Sequence, residues 1–204
     1  STAKDVIAMS FDSSYSSKTV KNEQTGVIDL QGQNSTGIFA TGTGTYTATN
    51  DGKIKLASST SVNRPNIGMY TDKSTVTLES DGTIEGGDKT VGMYGYGINL
   101  KNNAITKVGT GGTGVYSKGG NVTINGGILS VGENGSTGSN DAVGVYYVGA
   151  GGTITNNAAN VKIGNSAYGF VVQNEKGAAV TLKTNTPNVT LGNDVVYTYS
   201  NNRA

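Results

Sequence analysis

An all-β chain, wound as a right-handed parallel β-helix of about seven three-strand coils, is predicted by three observations. The first is a Gly-apolar-Tyr triplet, present as Gly68-Met69-Tyr70, Gly92-Met93-Tyr94, Gly114-Val115-Tyr116 and Gly144-Val145-Tyr146. Looser copies stand at Gly37-Ile38-Phe39, Gly169-Phe170-Val171 and, degenerate, Asp194-Val195-Val196. They return at intervals of roughly 22 to 31 residues, the range in which a period signals a stacked array. The second observation is that β-branched clusters such as Thr75-Val76-Thr77-Leu78 and Val122-Thr123-Ile124 lie between Gly, Asn and Asp turns. The third is that apolar residues nowhere recur at helical i, i+3, i+4 spacing.

Taken in order, residues 5–12 read as a single strand, the last of a coil whose beginning is missing. A polar link follows, and the chain then settles into three short strands per repeat. The first strand of each coil is expected at 18–22, 45–49, 75–79, 97–101, 121–125, 152–156 and 179–183. The second strands centre on Ile28/Leu30, Ile54/Leu56, Ile84, Ile105/Val108, Leu129/Val131, Val161/Ile163 and Val189/Leu191. The third strands are the triplets. Loops 58–65 and 132–141 absorb the irregular period. The layout is an incomplete coil and link over 1–18, coils over 19–199 and a tail at 200–204.

Strand alternation assigns the inward residues. Val76/Leu78, Ile98/Leu100, Val122/Ile124 and Val180/Leu182 form ladders on one sheet. Ile67/Met69, Val91/Met93, Val143/Val145 and Phe170 do so on the third. That phase turns Phe39, Tyr70, Tyr94, Tyr116 and Tyr146 outward as one aromatic column, at about 4.8 Å per step. Tyr146-Tyr147 and Tyr197/Tyr199 would extend the aromatic surface. Asn102-Asn103, Asn125-Gly126-Gly127, Asn156-Asn157 and Asn165 fall where corners need left-handed backbone, which Gly adopts freely and Asn tolerates.

Composition limits the function. The chain has 204 residues with 32 Gly, 2 Pro and no Cys, His or Trp; 14% are charged and the net charge is +1. That balance provides no basic face for nucleic acid or anionic lipid. Without Cys there is neither a disulfide framework nor a thiolate metal site. No apolar run approaches the ~20 residues of a membrane helix. Ser1-Thr2-Ala3-Lys4 does not read as an export signal, so the chain is either cytosolic or an excised or processed piece; the piece is expected, because both ends fall mid-repeat.

Catalytic motifs are thin. Residues 109–114 match Gly-x-Gly-x-x-Gly, but the fingerprint needs a helix where a strand is expected here. The glycine pairs Gly119-Gly120 and Gly126-Gly127 lack the aspartates of a calcium roll. Threonines alternate over 41–49 without building an array, so no ice-binding face is expected. Polysaccharide lyases and glycosidases of this fold gather carboxylates on one sheet, often beside an Arg or Lys base. The nearest acid pairs, Glu79 with Asp81 and Glu85 with Asp88, split between strand and turn within a coil, and the arginines are Arg64 and Arg203. No enzymatic activity, cofactor or metal site is expected. The aromatic column has two readings: a stack that stabilises its sheet, or a stripe that binds sugar rings or a partner protein.

At its "GMY/GVY … TVTL/NVTIN … GTI/GGILSVG" units, the chain resembles passenger domains of type V autotransporters, above all the large RadD-like fusobacterial outer-membrane adhesins. The resemblance spans about residues 19 to 199. It implies a fragment of a longer, surface-exposed passenger on the extracellular face of an outer membrane. It also implies attachment to surface proteins or glycans of other bacteria or host cells, coaggregation included, with no catalytic residues to carry over. Membrane attachment would come only through a C-terminal barrel that this sequence does not show. A monomeric rod is expected. Two alternatives stand beside the adhesin: a stalk spacing a distal binding tip, and a carbohydrate-active β-helix enzyme fragment.

Overall fold

A computed structural model describes residues 2–12, 20–135, 141–175 and 178–202. Strand β1 (Ile7–Asp12) leads into seven triplets. The first three are β2–β4 (Val20–Asn22, Val27–Leu30, Thr36–Thr41), β5–β7 (Tyr46–Asn50, Lys53–Leu56, Ile67–Thr71) and β8–β10 (Val76–Ser80, Thr83–Gly86, Val91–Gly95). Then come β11–β13 (Gly97–Leu100, Ile105–Val108, Thr113–Ser117) and β14–β16 (Val122–Asn125, Ile128–Val131, Val143–Gly149). The last are β17–β19 (Thr153–Asn157, Asn160–Ile163, Tyr168–Asn174) and β20–β22 (Thr181–Thr184, Asn188–Leu191, Val196–Asn202). Like strands of successive triplets pair in parallel. The result is two seven-stranded sheets and an eight-stranded one that includes β1, wound as a β-solenoid. Of the expected first strand 18–22, β2 covers 20–22, and positions 18 and 19 lie outside the described residues.

The core is a stack of in-register rows. One runs Ile28, Ile54, Ile84, Thr106, Leu129, Val161 along the sheet of second strands. Here the structure corrects the sequence reading. The second strand is expected to centre on Ile105/Val108, yet Ile105 pairs with Thr83 and Ile128 in a half-buried row, and Thr106 points inward. Alternation requires it, because the inward neighbour of Val108 is two residues away, not three. The Thr106 hydroxyl is buried without a partner. Thr106→Val is therefore expected to stabilise the protein by about 1 kcal/mol, read as a higher thermal midpoint, since it deletes an unsatisfied polar atom at nearly constant volume.

A polar row lines one corner: Asn22, Asn50 and Ser80, continued by Leu100 and Ile124 and then by Asn156. Its buried amides are satisfied along the solenoid. Asn22 Nδ2 donates to Asn50 Oδ1 at 2.8 Å, and Asn50 Nδ2 to Ser80 Oγ at 3.3 Å. The side chains thus repeat between coils what the backbone ladder does.

Left-handed backbone also falls elsewhere than expected. Gly126 and Gly127 adopt it, with φ of 70° and 64°, but Asn102, Asn103, Asn125, Asn156, Asn157 and Asn165 do not. Among the described residues, the non-glycine positions are Asp5, Asn34, Lys89, Ser166 and Asp194, joined by Gly111. Each stands two residues before a strand of the eight-stranded sheet. A shared corner geometry selects these positions whatever residue occupies them. The coils that depart from it, entering their strands through Pro65 and Asp141, are those with the long loops 58–65 and 132–141. Asn156 and Asn165 work through their side chains instead: Asn156 bonds Thr184 and Thr186, and Asn165 Oδ1 accepts from the Asn193 amide.

Candidate functional site

The glycine of each triplet faces the core together with the apolar residue after it. A Cβ on Gly68 would lie 2.7 Å from Ile84 Cγ2 and 2.5 Å from the Gly92 carbonyl oxygen. Gly37, Gly92, Gly114, Gly144 and Gly169 repeat the arrangement, each against the backbone of the next coil. Two consecutive inward residues break the alternation, so Ile67 and Val91, expected in the core, end half-buried. Ile38, Met69, Met93, Val115, Val145 and Phe170 fill the interior at 0% exposure.

The residue after that apolar position turns outward, half-buried, and in-register pairing aligns Phe39, Tyr70, Tyr94, Tyr116 and Tyr146. All five sequence-predicted site residues are brought together. Ring centroids are 5.4 Å apart for Phe39–Tyr70, 5.2 Å for Tyr70–Tyr94, 4.6 Å for Tyr94–Tyr116 and 5.1 Å for Tyr116–Tyr146. Three of the pairs are stacked, with interplanar angles of 14°, 7° and 20°; Tyr70–Tyr94 is tilted by 50°. Offset stacks of this kind contribute about 0.5–1.5 kcal/mol per pair beyond area burial. Each ring covers part of the next one's face, so the column presents ring edges and phenol oxygens to solvent.

The expected extensions of this surface divide. Tyr147 is fully buried, because it shares the inward face with Val145, and its hydroxyl donates to the Gly120 and Gly151 carbonyls. The degenerate last triplet was set at 194–196, but pairing places Val196 opposite Tyr168 and Tyr199 opposite Val171. Tyr197 thereby occupies the glycine position and packs edge-on against Phe170, 5.5 Å between centroids. Tyr199 re-enters the column after Val171 and is 45% exposed.

The two long edges of the column differ, and one of them is polar. There, Asp72 accepts from Thr41 at 2.9 Å and pairs with Lys73, and Lys118 lies 5.6 Å over the Tyr96 ring. Burial, then the Asp72 charge, holds the Tyr70 phenol above its ordinary pKa. Tyr94 and then Tyr96 raise Lys118.

On the other edge is a groove of about 240 Å³, floored by Tyr116, Tyr146, Val91, Val143 and Thr113. Val62 and Pro65 of loop 58–65 wall it, and Lys89 and Asp141 supply opposite charges. Lys89 makes no ion pair among the described residues. Sequence reasoning named both loops but did not bring Lys89, Val62 or Asp141 to one place. Residues 136–140 of the second loop lie outside the described residues.

Loop 58–65 is held by Asn66, which is fully buried. Its Nδ2 donates to the Gly32 and Ala57 carbonyls at 2.8 and 2.9 Å, and its Oδ1 accepts from the Ser35 amide at 2.8 Å. Its own amide donates to Ser59 Oγ at 2.8 Å. Farther along, the Thr60 amide donates to Gln33 Oε1, and Arg64 pairs with Asp5 at 3.2 Å.

The acids that sequence reasoning compared each have separate structural partners. Glu79 pairs with Lys101 and accepts from Asn99, while Asp81 caps the Asn103 amide. Glu85 pairs with Lys53, and Asp88 accepts from the Thr110 amide. Among the described residues, no three of His, Cys, Asp or Glu group as they would to hold a metal ion. The glycine run 109–114 enters strand β13, not a helix.

Fold and surface define a parallel β-solenoid domain in which loop 58–65 and Asp141 stand beside one aromatic column. Residues 1–159 match the family model described as the BigA third pectate lyase-like domain, and the chain belongs to that family. This membership makes it an adhesin-like domain of a bacterial surface protein. No curated protein and no solved structure matches the chain.

Proposed function

We propose that this domain is a segment of an autotransporter-type adhesin, of the kind found in the RadD-like outer-membrane proteins. It attaches the cell to surface proteins or glycans of other bacteria or of host cells and catalyses no reaction. The observation that carries this reading is the convergence of loop 58–65 and Asp141 on the Tyr116–Tyr146 end of the column. Irregular loops held over a regular scaffold are where binding residues concentrate, and a concave patch of apolar wall, aromatic edge and two opposite charges suits recognition. Attachment gains strength when many copies act together, so a weak groove suffices. The dispersed, individually paired carboxylates support the non-catalytic part.

Coated beads carrying the purified domain test this against partner bacteria and epithelial cells. The Lys89→Ala/Asp141→Ala double variant, with both substitutions at the surface, is expected to keep the fold and lose attachment several-fold. A folded variant that attaches undiminished would make the segment a spacer, the reading favoured by ring faces that cover one another. Cleavage of an oligosaccharide, abolished by removing one carboxylate, would overturn the non-catalytic reading.

A further inference from the structure

The chain has no Cys, Trp or His. Two of its three Met residues, Met69 and Met93, are fully buried. Oxidation by one electron is therefore directed to tyrosine, and the column holds four tyrosines in consecutive register. Tyr94 and Tyr116 are the closest and most nearly parallel pair, 4.6 Å between centroids and 7° between planes. Their backbones are adjacent rungs of one parallel sheet, spaced about 4.8 Å. Equivalent ring atoms thus face each other one above the next.

We propose that Tyr94 and Tyr116 are a modification site, joined as dityrosine when the protein meets a haem peroxidase with hydrogen peroxide. Each phenol gives up one electron and its hydroxyl proton and becomes a phenoxyl radical. The unpaired electron is shared with the ring carbons ortho and para to oxygen, and the para carbon is blocked by Cβ. One ortho carbon of each ring forms the new C–C bond. The hydrogen on each of those carbons then leaves as a proton while the oxygen regains one, restoring both phenols. Two hydrogens are lost from the protein, and the peroxide takes the two electrons and two protons to give two waters. The product staples strand β10 to strand β13 and makes two coils one covalent unit. Phe39 carries no phenol and ends the reactive run.

Dilute protein treated with peroxidase and limiting peroxide provides the test. Expected are a monomer lighter by two hydrogens, dityrosine fluorescence and a link between tryptic peptides 90–101 and 108–118, with fragmentation assigning it to Tyr94 rather than Tyr96. The linked species melts higher than the untreated protein. Tyr94→Phe and Tyr116→Phe keep a ring in the stack, so they fold, and each loses the link. Urea-unfolded protein loses the preference for this pair. The proposal fails if the main link joins another pair, if products are only intermolecular, or if Tyr116→Phe yields the same product. A small photochemical oxidant, a ruthenium complex with persulfate, repeats the measurement without a bulky enzyme; no 94–116 link with either oxidant also overturns it.

Discussion

Gly92→Val is expected to destabilise the protein by about 3 kcal/mol or more, because overpacking here meets backbone and not a flexible side chain. A Cβ at Gly92 would stand 2.4 Å from the Gly114 carbonyl oxygen and 2.8 Å from Thr106 Cγ2. Neither can retreat alone: the carbonyl belongs to the next coil's strand, and Thr106 is held between Ile84 and Leu129. The nearest relief is to part strands β10 and β13, which opens the ladder and the Tyr94–Tyr116 stack together. A solenoid is stabilised mainly by neighbour-to-neighbour interfaces, so the damage is local in sequence but divides the array. Urea melts should show an earlier midpoint, and hydrogen exchange should quicken first in 91–95 and 113–117. Gly92→Val with unchanged stability and protection would show that the coils yield more easily than their contacts imply.

Asn66→Leu is the second large effect, expected at about 3–5 kcal/mol, since a buried group left without its partner costs about 1–3 kcal/mol. The substitution orphans the Ser35 amide and the Gly32 and Ala57 carbonyls at once. It also detaches the wall of the groove, because Val62 and Pro65 are carried by the segment that Asn66 anchors. Limited proteolysis is the direct measurement: cleavage within 58–65 should appear in Asn66→Leu and not in the parent. Asn66→Asp keeps the acceptor for the Ser35 amide but turns a carboxylate oxygen toward the Gly32 and Ala57 carbonyls in a fully buried site, so it is expected to cost at least as much as Asn66→Leu. A loop equally resistant in Asn66→Leu would refute the anchoring role.

The periodic part of this fold could be read directly. Gly-apolar-Tyr marks a place where one residue must be small, the next buried and the third exposed, so three residue types identify a rung and its orientation. What escaped has physical causes. The rule of strict alternation assumes a flat strand, and it fails at Gly68 and Gly92, where two neighbours turn inward. The left-handed corner falls on Asn34, Lys89, Ser166 and Asp194, which share no composition, so only three-dimensional alignment reveals it. Tyr197 imitates a ladder residue in sequence but sits in the glycine position, because register depends on pairing with Tyr168–Asn174 and not on the spelling of the triplet. The groove was the least legible. It depends on bonds from Asn66 to residues about thirty positions earlier, and nothing local to 58–65 announces them.

The stacking direction of the coils has a mechanical consequence. The strands lie across the solenoid, so their ladder hydrogen bonds run along its long axis, from coil to coil. Tension along that axis loads those bonds end-on, and it concentrates at whichever outermost coil carries the load. A coil can then peel while its neighbours stay wound. Each stacked coil accounts for about 4.8 Å of rod, yet a peeled stretch of some 20 residues reaches roughly 65–70 Å. A tether built this way lengthens by an order of magnitude more than it gives up in stacked height, and it dissipates a sudden pull in instalments, one coil at a time.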